Sequence, residues 1–284
     1  MKSCLDIDLI FLSPKCTGEI LIVFPGYISE DDIHSKSEWK NAKQKAEAKG
    51  KTMVCAKWAS KKKLDLGIEN LTLAANAGMK FFIKRAISGP ALFVLGALDV
   101  VQFAAYNINQ FNKALERGKV VGQIMGYLMA IGYPFNGMTL SLAGFSLGNH
   151  VIHHALLTLN ELGCNDLIQN VTFLGGATSF DSTKESLYEN VFSNIVAGQI
   201  VNVYSEWDQI LHLYWIAQSR TAIGKKEIFN QSQRNMIAKN GVVVTTGEMA
   251  AADSYRLLNI PIHRVHIRYM SNIALILSKF DFEQ

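Results

Sequence analysis

The sequence feature that most constrains this fold is a serine bracketed by glycines, Gly144-Phe145-Ser146-Leu147-Gly148. The apolar run Met138–Ala143 before it predicts a buried strand, and Val151–Leu162 after it predicts a helix. A serine on such a strand-to-helix turn is held in a strained conformation, and the flanking glycines let backbone approach closely. The pattern predicts a nucleophile elbow with Ser146 at its apex. The alternative is an ordinary glycine-rich turn that holds a phosphate at a helix N-terminus.

Strand and helix patterns alternate along the chain, which favours a mostly parallel central sheet flanked by helices. The predicted strands are Leu5–Leu12, Glu19–Phe24, Thr52–Trp58, Met138–Ala143, Val171–Leu174, Ile200–Tyr204 and Val242–Thr246. The predicted helices are Ser37–Lys49, Pro90–Tyr106, Phe111–Ile131, Val151–Leu162 and one that includes Ile273–Leu277. With the elbow, this order predicts an α/β-hydrolase fold, and no linker divides residues 1–284, so we expect a single domain.

A long apolar segment, Leu64–Gln110, separates the early strands from the elbow strand. Pro90 suits the first position of a helix, and Asp99 and Gln102 interrupt the apolar run that follows it. A membrane span needs about 20 predominantly apolar residues. We therefore expect a helical insertion or cap, with an interfacial segment and a true span as the alternatives.

Lysine is concentrated early in the chain, where ten lysines stand against two glutamates between Lys36 and Lys63. A solvated face is the simpler interpretation, and a surface for anionic lipid or an acidic partner is the alternative. Nucleic acid is not expected, because no aromatic platform or known reader motif accompanies the lysines. The composition is 49% hydrophobic, the four cysteines have no C-x-x-C spacing, and the N-terminus does not resemble a signal peptide. We expect an intracellular protein that is not secreted, with membrane association as a possibility that the apolar composition raises.

An activated serine needs a histidine base and an acid that orients it, in the chain order serine, acid, histidine. The strand Ile200–Tyr204 leads directly to Asp208, our first choice as the acid, with Glu206 and Asp181 as alternatives. His266 and His263 lie near the C-terminus, where the base belongs, and His212 follows the acid more closely.

Three further histidines follow the serine on its own predicted helix, His150, His153 and His154. They are poorly placed to reach back to the serine hydroxyl. The i, i+4 spacing of His150 and His154 suits a metal, but no glutamate completes a metalloprotease pattern. We therefore expect neither a metal nor a cofactor.

An oxyanion hole needs two backbone N–H groups near the nucleophile. One is expected from Leu147 and the other from Tyr27 or Ile28, in the loop after Glu19–Phe24. Gly26 lets that loop turn close to the serine. A plain surface turn is the alternative.

Several segments together resemble the eukaryotic α/β-hydrolase family of the transmembrane-and-coiled-coil-domain type, long catalogued as a domain of unknown function. The resemblance rests on Phe24–Glu30, Trp39, the Leu140–Gly148 elbow, Phe173–Ala177, the Gly198–Leu211 segment and the pair His266 and Tyr269. It implies that Asp208 is the acid and His266 the base. Val265 and Pro261 depart from the family pattern beside that histidine, which keeps His263 as the alternative base.

The resemblance implies a lipase- or esterase-like serine hydrolase that is often associated with membranes. The predicted substrate is a small-molecule or lipid ester, and a membrane surface or a protein complex is the other kind of partner considered. The alternative function is a structural or interaction subunit that retains the fold with little or no catalysis.

Overall fold

The computed structural model describes residues 7–13, 18–27, 39–60, 95–180, 185–229, 244–246, 257–263, 266 and 269. The strands are β1 Ile7–Phe11, β2 Glu19–Phe24, β3 Thr52–Trp58, β4 Thr139–Phe145, β5 Ile168–Leu174, β6 Ile200–Tyr204, β7 Val244–Thr246 and β8 Leu257–Pro261. The helices are α1 Lys40–Ala48, α2 Leu95–Ala130, α3 Gly148–Glu161, α4 Glu185–Ile195 and α5 His212–Gln218.

The strands of the described residues form one sheet in the order β1-β3-β2-β4-β5-β6-β8-β7. Only β1 runs antiparallel to its neighbour, and every other pair is parallel. A parallel pair needs a crossover, and helices supply several of them. This mostly parallel sheet with flanking helices, carrying a strand-to-helix serine turn after a central strand, confirms the predicted α/β-hydrolase fold.

The central strands are buried because both faces of the sheet are covered. β2 and β6 are nearly unbroken apolar runs and are almost fully buried, as expected for parallel strands between two layers of helices. In register, Phe145 of β4 lies opposite Leu174 of β5, and Tyr204 of β6 lies opposite Pro261 of β8. The carboxyl ends of these strands therefore meet at one edge, where ligands bind in open α/β sheets.

The long helix α2 corrects the prediction of two helices, Pro90–Tyr106 and Phe111–Ile131. The structure has one helix of 36 residues, Leu95–Ala130. No glycine or proline stands between Tyr106 and Phe111, so nothing in the backbone ends the first helix. Residues 64–94 of the predicted insertion lie outside the described residues. Within the described part of the chain, no helix is both long enough and apolar enough to span a bilayer.

The same helix packs closely against α3, through glycines on the contact face. A Cβ at Gly126 would stand 2.8 Å from the Cβ of Thr158 on α3. Glycine in mid-helix is unfavourable by itself, and here it permits the close helix contact.

Three described elements escaped sequence prediction: α4, α5 and β8. β8 carries Asn259 at its centre and ends at Pro261, a composition that argues against a central strand. Its asparagine is buried and satisfied: Asn259 Oδ1 accepts hydrogen bonds from Asn202 Nδ2 at 3.1 Å and from the Ile228 N–H at 2.9 Å. The predicted strand Val242–Thr246 is observed over Val244–Thr246. The predicted helix that includes Ile273–Leu277 lies outside the described residues.

Candidate active site

Ser146 occupies the sharp turn that the elbow pattern predicts. Its φ is 52°, in the left-handed region that costs a non-glycine residue about 1–2 kcal/mol. Hydrogen bonds on both sides hold the turn, because the Ser146 N–H donates to the Leu174 carbonyl at 3.0 Å and the Ser146 carbonyl accepts from Ala177 N–H at 2.9 Å. The side chain is at the surface of the core, with 7% exposure.

Two glycines are required around this turn because backbone passes too close for a side chain. A Cβ on Gly148 would collide with the Phe24 carbonyl at the end of β2. A Cβ on Gly26 would stand 2.9 Å from the Cβ of Ser146. The loop after β2 therefore lies directly beside the serine, as the sequence analysis expects.

Asp208 and His266 form a buried hydrogen-bonded pair. His266 Nδ1 lies 2.6 Å from Asp208 Oδ2, with Asp208 at 0% and His266 at 6% exposure. The other carboxylate oxygen accepts hydrogen bonds from the N–H groups of Ile210 at 3.2 Å and Leu211 at 3.4 Å. A buried carboxylate held in this way stays in one position and fixes the orientation of the ring.

The ring of His266 lies against the residue that precedes the serine. Its centroid is 4.9 Å from that of Phe145, at an interplanar angle of 33°. Because Nδ1 faces Asp208, Nε2 is the ring nitrogen left on the other side of the imidazole. The structure therefore brings an acid, an imidazole and the elbow to the same edge of the sheet.

Tyr269 supports the imidazole from a further side. Its ring centroid is 6.0 Å from that of His266 and 6.3 Å from that of Phe145, and its Cζ lies 3.2 Å from where a Cβ would stand on Gly175. Burial, and then the negative charge of Asp208, raises the pKa of Tyr269 well above its ordinary value. The phenol is therefore neutral and acts here as packing.

The predicted oxyanion donors fall partly within the described residues. Leu147 is fully buried and immediately precedes α3, where the first N–H groups of a helix have no intrahelical acceptor. Tyr27 is half-buried, with its ring 5.8 Å from that of Phe111. Ile28 lies outside the described residues.

The competing acids and bases are placed differently. Glu206 and His263 are exposed, and His212 is exposed at the start of α5. Asp181 lies outside the described residues. Among the candidates that the structure describes, the buried acid–imidazole contact joins Asp208 to His266.

The three histidines after the serine form a separate cluster on α3. His150 Nδ1 and His153 Nδ1 lie 3.2 Å and 2.9 Å from the hydroxyl oxygen of Thr178. Burial, followed by the neighbouring charge of His154, lowers the pKa of His150 from 6.5 to about 3 and that of His153 well below 6.5. Burial, followed by the charge of Lys119, lowers the pKa of His154 to about 4. All three rings are neutral at neutral pH.

Sequence reasoning missed two residues that support the elbow. The side-chain amide of Asn149 donates to the carbonyls of Ser146, at 3.2 Å, and Leu174, at 3.0 Å. Thr178 connects β5 to the histidine cluster. Asn149 directly follows the second glycine of the elbow, a position close enough in sequence to reach the turn, whereas Thr178 has no local signal.

One of the predicted lysine-face residues is also placed differently from the expectation. Lys51 is buried, and its ammonium pairs with Glu19 at 2.7 Å. It ties the start of β3 to the start of β2 and does not belong to a solvated or lipid-facing surface.

Several solved structures are similar to this chain at low sequence identity. Est1E from Butyrivibrio proteoclasticus with bound ferulic acid is 12% identical, covering 99% of this chain and 97% of its own, with a TM-score of 0.43. Dienelactone hydrolase from Anabaena variabilis is 10% identical, covering 98% and 97%, with a TM-score of 0.40. The α/β-hydrolase fold of this chain is shown by its own strand order and by the serine turn after β4.

Two curated relatives are described as uncharacterized membrane proteins. The one from Schizosaccharomyces pombe is 28% identical over 161 residues, covering 55% of this chain and 27% of the relative. The one from Caenorhabditis elegans is 26% identical over 171 residues, covering 59% and 27%. The chain spans about a quarter of the length of these relatives.

The resemblance noted in the sequence is borne out at the level of a family, while its transmembrane and coiled-coil features stay predictions. A match across residues 2–253 shows that the chain belongs to the family described as Protein of unknown function (DUF726).

Proposed function

We propose that this chain is a serine hydrolase of the esterase or lipase type, with Ser146 as nucleophile, His266 as general base and Asp208 as the residue that orients the imidazole. The observation that carries the proposal is the buried 2.6 Å contact between Asp208 and His266 beside the strained serine turn. Strained residues like Ser146 concentrate at sites where chemistry occurs.

Each residue has a defined step. Asp208 accepts a hydrogen bond from Nδ1–H of His266, which keeps the proton on Nδ1 and leaves the Nε2 lone pair free to take a proton. The Ser146 oxygen attacks the ester carbonyl and gives its proton to Nε2. The ester C–O bond then breaks, and the alcohol leaves with that proton. Water next attacks the acyl-serine, with His266 again taking and returning the proton, and the acid is released.

The developing oxyanion would be held by backbone N–H groups, as in other acyl-transfer sites. Leu147 supplies the first, at the N-terminus of α3. Tyr27 or Ile28 supplies the second, from the loop that Gly26 places beside the serine. The apolar segment Leu64–Gln110 supports a lipid ester as the substrate, because it would present an apolar cap or interface.

A serine-reactive fluorophosphonate probe tests the proposal. We expect stoichiometric labelling of the wild-type chain at Ser146, none in Ser146→Ala, and strongly slowed labelling in His266→Asn. The exposed competitor is tested by His263→Asn, which should label as fast as the wild type. Ser193→Ala, which changes a half-buried serine on α4, is the matched control.

The far-ultraviolet circular dichroism of each variant shows whether it is folded. Absence of labelling at Ser146 in folded wild-type protein contradicts the hydrolase proposal. Slowed labelling in His263→Asn together with normal labelling in His266→Asn would identify His263 as the general base.

A second candidate function is attachment to a membrane surface with little or no catalysis. Its supporting observation is a set of exposed apolar side chains in and after the acid loop: Trp207 at 64%, Ile210 at 46%, Trp215 at 52% and Ile216 at 47% exposure. Tryptophan favours the membrane–water interface because its ring is apolar and its N–H remains hydrated. The names of the curated relatives agree with this candidate.

Sedimentation with phosphatidylcholine and phosphatidylserine liposomes at low and high salt tests this second function. Trp207→Ala and Trp215→Ala should reduce the bound fraction. Ile131→Ala, which removes an exposed apolar side chain at the end of α2, is the control. Absence from the pellet at both salt concentrations contradicts membrane attachment.

A further inference from the structure

Three imidazoles lie together on α3, four to eight positions after Ser146. His150, His153 and His154 (the histidine cluster) each offer a ring nitrogen, and these three atoms all lie within 4.8 Å of one another. The ring centroids are 4.6 Å apart for His150 and His154 and 5.0 Å apart for His153 and His154. Spacings of three and four residues place all of them on the same side of the helix.

A buried nitrogen without a partner points to a ligand at this cluster. Within the described residues, Nε2 of His153 is fully buried and has no hydrogen-bond partner. The other nitrogen of the same ring lies 2.9 Å from the Thr178 hydroxyl oxygen. Burial of a polar atom without a partner is costly, so such an atom needs an explanation.

Thr178 has the position that a supporting residue of a metal site occupies. Its hydroxyl oxygen has two lone pairs and lies within hydrogen-bond distance of Nδ1 of both His150 and His153. When both Nδ1–H groups donate to it, the two Nε2 atoms carry the free lone pairs. Metal-binding histidines are held in this way, with the second ring nitrogen bonded to a neighbouring oxygen.

We propose that the histidine cluster binds one divalent transition-metal ion, with zinc as the physiological choice, through one nitrogen each of His150, His153 and His154. Three imidazoles without a carboxylate suit zinc, copper, cobalt or nickel and do not suit calcium or magnesium. Three histidines with water in the fourth position form a known zinc arrangement. The half-buried His150 and His154 rings leave a path from solvent.

Binding requires a small closure of the rings. Tetrahedral zinc at 2.0–2.1 Å from nitrogen places its ligands about 3.4 Å apart, so nitrogens at up to 4.8 Å must approach by side-chain rotation. The Leu115 carbonyl on α2 interacts with His150 and competes for its ring N–H. The ammonium of Lys119 faces His150 and His154 and opposes a cation, but its side chain is exposed and can turn into solvent.

The site would have a structural effect on the elbow. Thr178 directly follows Ala177, whose N–H bonds the Ser146 carbonyl at 2.9 Å. A metal that fixes the cluster therefore fixes α3 and the segment after β5 on two sides of the serine turn. Zinc binding by the cluster does not depend on catalysis by Ser146, so Ser146→Ala should bind zinc as the wild type does.

Calorimetric titration of the chelator-treated full chain with zinc chloride tests the proposal. We expect one equivalent to bind, and His150→Asn and His154→Asn each to weaken the affinity more than about 10-fold. Thr178→Val should weaken it about 10-fold, and Lys119→Gln should strengthen it. His212→Asn, an exposed histidine on α5, is the matched control and should leave the affinity unchanged.

A second measurement uses only the wild-type protein, in case a variant does not fold. The chain has seven histidines, and one equivalent of zinc should shift the NMR ring signals of three of them. Zinc affinity equal in the wild type and both cluster variants overturns the proposal, as does a shift confined to other histidines. Absence of one-equivalent binding by the folded wild type also overturns it and leaves the cluster as neutral packing.

Discussion

Acid should destabilise this fold through the histidine cluster. In the unfolded chain each histidine titrates near 6.5, whereas burial lowers the pKa of His150 to about 3 and that of His154 to about 4 in the fold. Between pH 7 and pH 4 the unfolded state therefore binds more protons than the native state. Lowering the pH through this window favours unfolding.

The size of the effect follows from the unfolded pKa. At pH 5, a group that titrates at 6.5 when unfolded and at about 3 when folded costs about 2 kcal/mol, because each pH unit corresponds to 1.36 kcal/mol. His150 is such a group. For His154, which is partly exposed, solvent screening reduces the figure to about 1 kcal/mol. His153 acts in the same direction. The sum is a large part of the about 5–15 kcal/mol that stabilises a typical domain.

Urea unfolding of chelator-treated protein at pH 7.5 and pH 5.0 measures this effect. The wild type should lose about 3 kcal/mol or more of unfolding free energy between the two values. His150→Asn removes the titration of the His150 imidazole, so this variant should lose about 2 kcal/mol less unfolding free energy than the wild type, whatever its stability at pH 7.5. His212→Asn, which changes an exposed histidine, should behave like the wild type.

An equal loss of unfolding free energy in the wild type and in His150→Asn would contradict the prediction. It would mean that His150 takes up its proton in the native state near its ordinary pKa. The ring would then be hydrated in solution rather than packed between α3 and the Gly118 region of α2, where it lies 3.4 Å from a Cβ position.

Three further predictions concern the Asp208–His266 pair, the elbow and strand β8. Asp208→Asn should slow fluorophosphonate labelling about 10²- to 10⁴-fold, because the amide does not hold the imidazole in the productive tautomer. Gly26→Ala places a Cβ 2.9 Å from that of Ser146 and should slow labelling about 10- to 100-fold, whereas Gly118→Ala, with ordinary contacts of 3.4 Å, should label normally. Asn259→Ala removes the partners of a buried backbone N–H and carbonyl and should lower the urea unfolding free energy by about 2 to 4 kcal/mol.

The parts of the fold that sequence predicts are those whose signal is local. Apolar runs of five to seven residues bounded by turns predicted β2, β3, β4 and β6, and a glycine-bracketed serine between a strand and a helix predicted the turn at Ser146. Each signal comes from residues within about ten positions of one another. Backbone strain at the serine follows from the same local pattern, because only close approach of neighbouring backbone requires the flanking glycines.

What sequence missed depends on contacts between distant segments. β8 carries Asn259 and Pro261, which disfavour a strand by propensity, and tertiary hydrogen bonds to Asn202 and Ile228 override that preference. The sequence predicts a boundary between two helices at polar residues after Tyr106, but a helix tolerates these residues, and α2 continues through them. Tertiary context decides both cases.

The Asp208–His266 pair and the histidine cluster also depend on contacts between segments that are distant in sequence. Chain order alone leaves His263 and His266 as C-terminal candidates, and the family resemblance favours His266. The contact of His266 to Asp208 joins residues 58 positions apart and depends on β6 and β8 being neighbours. The i, i+4 spacing of His150 and His154 suits a metal, but no glutamate completes a metalloprotease pattern, so the sequence alone does not predict a metal site. The oxygen that supports the cluster belongs to Thr178, which lies 25 positions after His153 and follows β5 in the chain. The helical spacing therefore indicates the imidazoles but not the hydroxyl that orients them. The fold brings Thr178 to the cluster, while the N–H of its neighbour Ala177 bonds the Ser146 carbonyl.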